Sequence, residues 1–215
     1  MKVGLLSLAA CLLTLPAFSQ CSQAVSTKGM FESRGTVESG ANVCPLSVND
    51  KAKLYLVRAT SPFNIVSAAG SAGIWQATQD SHQGFGQGWR AYGSRFGASL
   101  ANNESAELLN TFVFSSVMHM DPRYFRKGSG SFGSRFGYAI SRVLVGRTDG
   151  GRAALNAPEI MGAVASAGLS NAYYPQSDRT ASRTLESAGL TIAADAGWNV
   201  LREFGVELNK VFRRK

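Results

Sequence analysis

The spacing of apolar residues is the feature that most restricts how this chain can fold. Between positions 104 and 118, apolar residues recur every three or four positions: Ala106, Leu108, Leu109, Phe112, Val113, Val117 and Met118. Residues at this spacing share one face of an α-helix. No stretch of the sequence shows sustained alternation of β-branched and polar residues, the pattern of a half-buried strand. The sequence therefore predicts an all-α fold.

Start and stop signals divide the chain into about six or seven helices that pack as one compact bundle over residues 47–215. Ser47, followed three residues later by Asp50, is typical of a helix N-terminus. We predict helices at 51–59, 64–78, 89–101, 104–118, 132–145, 158–173 and 180–212. Asn102-Asn103 separates the third helix from the fourth in this scheme. Residues 20–46 contain few large apolar residues and are predicted to form a leader with little regular structure.

Residues 1–19 have the pattern of a cleavable secretory signal peptide. Lys2 supplies the positive charge, an apolar run follows, and Ala17-Phe18-Ser19 places small residues before a cleavage site at Gln20. The alternative is a lipoprotein-type site, Leu8-Ala9-Ala10-Cys11, which would leave a much shorter apolar run. Either reading predicts export to the periplasm or the envelope surface.

Two cysteines, Cys21 and Cys44, remain after signal cleavage. An even number of cysteines in an oxidising compartment favours a disulfide, and this one would tie the leader down. Two unpaired thiols are the alternative.

Three predicted helices carry small residues at every fourth position: Ala69/Gly73/Ala77, Gly162/Ser166/Ser170 and Gly189/Ala193/Gly197. Such a stripe allows close helix packing either in a membrane or inside a bundle. Ser, Thr, Asn, Gln and Gly dilute these segments, so we favour a soluble or peripheral bundle over integral helices.

Basic and aromatic residues alternate over residues 120–152. Seven basic residues stand against Asp121 and Asp149: Arg123, Arg126, Lys127, Arg135, Arg142, Arg147 and Arg152. Arginine beside an aromatic residue suits phosphate or carboxylate groups at an interface. We therefore predict anion binding by Arg123, Arg126, Lys127, Arg135 and Arg142. The alternative is that these arginines pair inside the bundle with Glu104, Glu107, Glu159 or Asp195; Asp195 lies in an apolar run and would need such a partner.

Enzymatic motifs are sparse. His119 and Asp121 form a His-x-Asp pair that, with Arg123, is the only candidate catalytic group, although a helix end explains the same residues. No P-loop, Gly-x-Ser-x-Gly elbow, His-Glu-x-x-His or Cys-x-x-Cys is present. We therefore predict neither a metal nor a cofactor.

Two resemblances to known families exist. The segments 121–127, 138–142 and 170–175 resemble an uncharacterised, all-helical family of exported bacterial proteins over roughly residues 50–210; this resemblance implies no activity. Pro122-Arg123, Gly130–Ser134 and Ser141-Arg142 more weakly resemble the motifs of PAP2-type phosphatases. Arg135 and Phe136 stand where that family has its loop histidine, so the resemblance implies at most a degenerate phosphate site.

The net charge of +8 favours an anionic partner. Because export makes nucleic acid an improbable partner, we expect a non-enzymatic envelope protein that binds an anionic lipid head group or an acidic glycan. The alternative function is a hydrolase, or a degenerate PAP2-like phosphatase, centred on His119, Asp121 and Arg123.

Signal cleavage is directly testable. Mass spectrometry of the protein purified from its host should find an N-terminus at Gln20. An intact Met1, or a lipid on Cys11, would contradict this prediction.

Overall fold

The computed structural model describes residues 35–78 and 83–213, and helices dominate this part of the chain. The helices are α1 (Val48–Ala59), α2 (Pro62–Thr78), α3 (Trp89–Glu107), α4 (Ser115–Val117), α5 (Phe132–Ser141), α6 (Ala157–Ser170) and α7 (Ala181–Arg213). A π-helical stretch, Leu108–Phe114, joins α3 to α4 without a break, so the described ranges contain six separate helices. The all-α prediction is confirmed. The signal peptide, residues 20–34 and Cys21 lie outside the described residues.

Five short strands accompany the helices. They are β1 (Thr36–Val37), β2 (Met120–Asp121), β3 (Tyr124–Phe125), β4 (Val145–Thr148) and β5 (Ala153–Leu155). β1 pairs in parallel with β3, whereas β2, β4 and β5 form an antiparallel sheet in the order β2-β4-β5. The predicted fifth helix therefore ends at Ser141, and residues 145–148 are a strand. Part of the predicted leader, β1, belongs to the folded domain.

The start of α1 has the predicted cap. The Asp50 amide donates to Ser47 Oγ at 3.2 Å, and the Ser47 amide donates to the Asp50 carboxylate at 3.2 Å. One turn into this helix, Lys51 is only 2% exposed. Its ammonium group contacts Asp149 Oδ2 at 2.7 Å and the Ser115 carbonyl at 3.0 Å. This buried ion pair ties α1 to the β4–β5 turn.

The break predicted at Asn102-Asn103 is wrong, because α3 continues through both residues. Their side chains bond to neighbouring elements and do not cap a new helix. Asn103 Nδ2 donates to Asn64 Oδ1 at 2.9 Å, and Asn102 Nδ2 donates to the Tyr174 hydroxyl at 2.5 Å. Polar contacts between elements therefore replace the local capping that the sequence suggested.

Close packing of α6 explains one of the three small-residue stripes. Gly162, Ser166 and Ser170 are all buried. A Cβ added to Gly162 would lie 3.0 Å from Asn110 Cβ in the π-helix, so only glycine permits this approach. Gly189 and Gly197 of the third stripe are instead exposed on α7. No helix in the described part of the chain is both long and apolar enough to span a bilayer.

Glu203 joins α7 to the segment that precedes α5. Its side chain is fully buried. The carboxylate accepts hydrogen bonds from the Tyr124 hydroxyl, the Lys127 and Gly128 amides and Arg135 Nε, all at 2.9–3.0 Å. Burial alone would raise the pKa of Glu203, but the bonds from Arg135, Gly128 and Lys127 hold it below its ordinary value. Glu203 is therefore held as a carboxylate in the interior.

Two arginines, Arg126 and Arg135, complete this network. We call the whole network the Glu203 cluster, and its members are Glu38, Tyr124, Arg126, Arg135, Glu203 and Glu207. Arg126 and Arg135 both donate to the Glu203 carbonyl, at 2.7 and 2.6 Å. They also pair with the carboxylates of Glu38 and Glu207 at the rim. Every strongly buried charge of the cluster thus has an opposite charge beside it.

Removal of the Glu203 carboxylate should strongly destabilise the fold. Glu203→Ala leaves the surrounding donors and the buried Arg135 without their main acceptor, so we expect a loss of about 3–5 kcal/mol in the free energy of unfolding. Urea denaturation followed by circular dichroism measures this loss. Glu186→Ala is the matched control on α7, because its pair with Arg183 is exposed and contributes about 0.5 kcal/mol or less. Similar losses for the two variants would contradict the prediction.

Candidate functional site

Three of the five predicted anion-binding residues are paired with carboxylates of the same chain. Arg123 pairs with Asp121 at 2.6 Å, and its side chain has no exposed surface. Arg126 pairs with Glu38, and Arg135 pairs with Glu203. Internal pairing therefore accounts for these three arginines. Their partners differ from those the sequence suggested, which were Glu104, Glu107, Glu159 and Asp195.

Lys127 and Arg142, the other two predicted residues, have no carboxylate within 4.0 Å among the described residues. The Lys127 ammonium donates to Ser134 Oγ at 2.5 Å. The Arg142 guanidinium lies over the Tyr138 ring, 4.5 Å from its centroid. Arg142 Nε is buried and has no hydrogen-bond partner in the described ranges. Arg142 therefore keeps an available donor.

The candidate catalytic residues His119, Asp121 and Arg123 do not converge on one site. His119 is exposed, has a positive φ of 52°, and accepts a hydrogen bond from the Asp149 amide through its carbonyl. Asp121 and Arg123 line an internal cavity, which His119 does not reach. The Asp121 carboxylate accepts three hydrogen bonds from the Arg123 side chain and one from its amide, which fixes both groups.

The cavity that Asp121 and Arg123 line is large. It has a volume of about 760 Å³ and lies between α2, α3, α6, α7 and the β2–β5 region. This volume falls within the range of small-molecule sites, roughly 300–1,000 Å³. Aromatic residues from several elements form part of the wall: Phe63, Tyr124, Phe125, Tyr138 and Trp198. Phe63 and Trp198 meet edge to face, with centroids 4.0 Å apart.

The end of α3 and the first residues of the π-helix place polar groups on one side of this cavity. Glu107 and Asn110 line it, and the neighbouring Thr111 is buried. Arg58 Nη1 donates to Glu107 Oε1 at 3.0 Å and to Thr111 Oγ1 at 2.8 Å. Burial opposes ionisation of Glu107, but the Arg58 charge and bonds from Thr111 and Arg58 hold the pKa of Glu107 below its ordinary value. This carboxylate is therefore ionised and already paired.

The electrostatics of two other acidic residues, Glu159 and Asp195, differ from those of Glu107. Both line the cavity. Burial raises the pKa of Asp195 well above its ordinary value, and the charge of Glu159 and a hydrogen bond with it raise that pKa further. Asp195 therefore holds its proton to a higher pH than an exposed aspartate does. Glu159 is 8% exposed, and its Oε1 has no hydrogen-bond partner in the described part of the chain.

Three arginines that line the cavity, Arg142, Arg147 and Arg202, form no ion pair with a described carboxylate. Arg147 stacks on Phe125 at 4.4 Å, and its Nε donates to the Gly151 carbonyl. Arg202 Nη1 donates to Asn199 Oδ1 at 3.3 Å, while its buried Nε has no hydrogen-bond partner in these ranges. Burial and the nearby Arg58 lower the pKa of Arg202 to about 10, so it stays charged at neutral pH.

The charges of the wall favour an anion. Arg58 and Arg123 pair with Glu107 and Asp121. Arg142, Arg147 and Arg202 then stand against Glu159 and Asp195, and the raised pKa of Asp195 disfavours its negative charge. Guanidinium groups bind carboxylate and phosphate with directional, charge-assisted hydrogen bonds. The described residues contain no cluster of three or more His, Cys, Asp or Glu side chains that could hold a metal ion.

Sequence reasoning identified only part of this site. Arg142 was predicted to bind an anion, and Asp195 was expected to pair with an arginine. Asp195 forms no ion pair with a described arginine, and the neighbouring Glu159 raises its pKa. Arg58 and Arg202 were not singled out. One signal was available for Arg202: it lies seven residues after Asp195, so both occupy one face of the helix.

Cys44 is disulfide-bonded, and its carbonyl accepts a hydrogen bond from Arg123 Nη2 at 2.7 Å. Because Cys21 lies outside the described residues, the Cys21–Cys44 pairing stays a prediction. No protein-family model, curated protein or solved structure matches this chain.

Asp195 should make the stability of the protein depend on pH. Its pKa is higher in the folded chain than in the unfolded chain, so the stabilisation is complete below the ordinary pKa and is lost as pH rises through the raised pKa. Asp195→Asn removes this dependence. Relative to wild type, the free energy of unfolding of the variant should increase by up to about 1.4 kcal/mol per pH unit across that window.

Urea unfolding of both proteins at a series of pH values from below 4 to neutrality measures the difference. Glu159, Glu107 and Arg202 remain in both proteins, so their own contributions largely cancel. Parallel stability profiles for wild type and Asp195→Asn would contradict the prediction.

Proposed function

We propose that this protein is an exported, non-enzymatic helical protein of the cell envelope that binds an anionic envelope component in the cavity beside α7. The observation that carries the proposal is the pair of unpartnered buried donors in the wall, Arg142 Nε and Arg202 Nε. A buried guanidinium N–H without a hydrogen-bond acceptor is costly. An anion in the cavity would offset that cost.

The sequence predicted anion binding on the surface of the 120–152 segment. The proposal instead places the bound anion in the cavity, which this segment lines. Arg126 and Arg135 have acidic partners in the Glu203 cluster, and a ligand would have to displace Glu38 or Glu207 to reach them. Arg142 and Arg147 belong to the same segment and have no such competitor. Arg202, on α7, is the third arginine of the proposed site. The signal-peptide pattern of residues 1–19 supports a location in the periplasm or at the envelope surface.

The aromatic residues of the cavity wall favour anion binding by orienting the arginines. The faces of Tyr138 and Phe125 hold the guanidinium planes of Arg142 and Arg147, which limits their movement. An arginine oriented in advance loses less side-chain entropy when it meets a carboxylate or phosphate. The wall carries five arginines and four acidic residues, and this excess of positive charge also selects against cationic ligands.

Titration with inorganic phosphate at fixed ionic strength tests the site. A charge-assisted hydrogen bond contributes about 1.5–3 kcal/mol, so Arg142→Ala and Arg202→Ala should each weaken phosphate binding about 10- to 100-fold. Isothermal titration calorimetry measures the affinities, and circular dichroism verifies that each variant is folded.

Arg152→Ala is the matched control. Arg152 is exposed in the β4–β5 turn, and its removal changes the net charge equally without altering the cavity wall. We expect its phosphate affinity to stay within about twofold of wild type because salt screens exposed charges. Equal losses in all three variants, or no phosphate binding by wild type, would contradict the proposal.

A further inference from the structure

The wall of the cavity is rich in amide and hydroxyl side chains and poor in aliphatic ones. Nine of its lining residues are Ser, Thr or Asn, whereas Val145 and Leu201 are its only lining residues with a branched aliphatic side chain. A pocket for a hydrocarbon chain needs the opposite balance, because such a chain gains free energy where it covers apolar surface. The composition of the wall therefore favours a ligand with many polar groups.

Two asparagines of the wall are held by their amide nitrogens. Asn156 Nδ2 donates to the Arg142 carbonyl at 3.1 Å, and Asn110 Nδ2 donates to Glu159 Oε2 at 2.5 Å. Because both partners are acceptors, the nitrogen of each amide, and not its oxygen, faces them. Neither Oδ1 atom accepts a hydrogen bond from a residue that the structure describes. Each oxygen is therefore an oriented acceptor that a ligand can use.

These acceptors lie beside the unpartnered arginine donors. The bond from Asn156 joins its side chain to the backbone of Arg142, whose Nε has no hydrogen-bond partner in the described ranges. A carboxylate accepts hydrogen bonds and donates none, so it can satisfy the arginine but not the asparagine oxygen. A ligand that satisfies both carries hydroxyl groups close to its negative charge.

We propose that the ligand of the cavity is an acidic sugar, a pyranose ring that carries a carboxylate. The carboxylate pairs with Arg142 and Arg202, and ring hydroxyls donate to the side-chain oxygens of Asn110 and Asn156. The C–H groups of the ring cover the face of Trp198, which also lines the cavity. The inference rests on the proposed function and narrows it, because it selects an acidic glycan over an anionic lipid.

Four small ligands separate the contributions of charge, hydroxyl groups and hydrocarbon. Galacturonate, cyclohexanecarboxylate and octanoate each carry one carboxylate and differ in the rest of the molecule, while galactose has the hydroxyl groups without the charge. Each hydroxyl–amide hydrogen bond should tighten binding about three- to tenfold. Galacturonate should therefore bind at least about tenfold more tightly than cyclohexanecarboxylate, which leaves the asparagine oxygens unpaired. Isothermal titration calorimetry measures all four affinities.

Variants assign the contacts. Asn110→Ala and Asn156→Ala should each weaken galacturonate binding about three- to tenfold and change the affinity for cyclohexanecarboxylate by less than about twofold. Arg142→Ala should weaken the binding of both ligands. Asn171→Ala is the matched control, since the Asn171 amide donates to Thr184 Oγ1 at 3.1 Å and lies outside the cavity wall. Circular dichroism verifies that every variant is folded.

The outcomes separate this inference from the proposed function. Equal affinities for galacturonate and cyclohexanecarboxylate, or binding of inorganic phosphate without galacturonate, would overturn the sugar and leave the anion site intact. Octanoate binding more tightly than galacturonate would overturn the sugar in favour of a lipid. Galactose binding as tightly as galacturonate, with no binding of inorganic phosphate, would overturn the proposed function and leave only the hydroxyl contacts. An equal effect of Asn171→Ala and Asn156→Ala would overturn the assigned contacts.

Discussion

The buried carboxylate of Glu203 accepts four hydrogen bonds from Tyr124, Lys127, Gly128 and Arg135, and the position of α7 depends on them. Because α7 is one continuous helix, fixing it at Glu203 also fixes the residues a few turns before it. A rise of about 1.5 Å per residue places Asp195 about 12 Å away along the same rod. Asp195 and Arg202, which line the cavity from α7, are therefore held in place by the Glu203 cluster on the same helix.

The segment 120–152 contains two kinds of arginine, and burial beside a carboxylate distinguishes them. Arg123, Arg126 and Arg135 face internal acids and serve the fold. Arg142 and Arg147 face aromatic rings, which hold a guanidinium group without neutralising it. A single basic stretch thus supplies both the connections between helices and the unpaired positive charge of the cavity. Its composition alone does not separate these two roles.

The helical class, the capped start of α1 and the approximate extents of α2, α6 and α7 follow from local patterns. Interactions that depend on distant residues do not. The strands have two to four residues, too few for an alternating pattern to be recognisable. Asn103 resembles a helix restart until Asn64 on α2 provides its partner. Glu203 has the appearance of a surface residue on an amphipathic helix, since its partner Arg135 lies 68 positions away. The sequence analysis did not predict the cavity, although it singled out Arg142 and Asp195, which line it.

That sequence separation has a consequence for how the chain reaches its native state. During synthesis, the guanidinium groups at positions 126 and 135 leave the ribosome well before the carboxylate that neutralises them. Until the final helix is complete, folding would bury two positive charges without their central acceptor, which is strongly unfavourable. Contacts between residues so far apart also slow folding, because a long loop must close before they form. The domain should therefore remain unfolded until Glu203 has been synthesised.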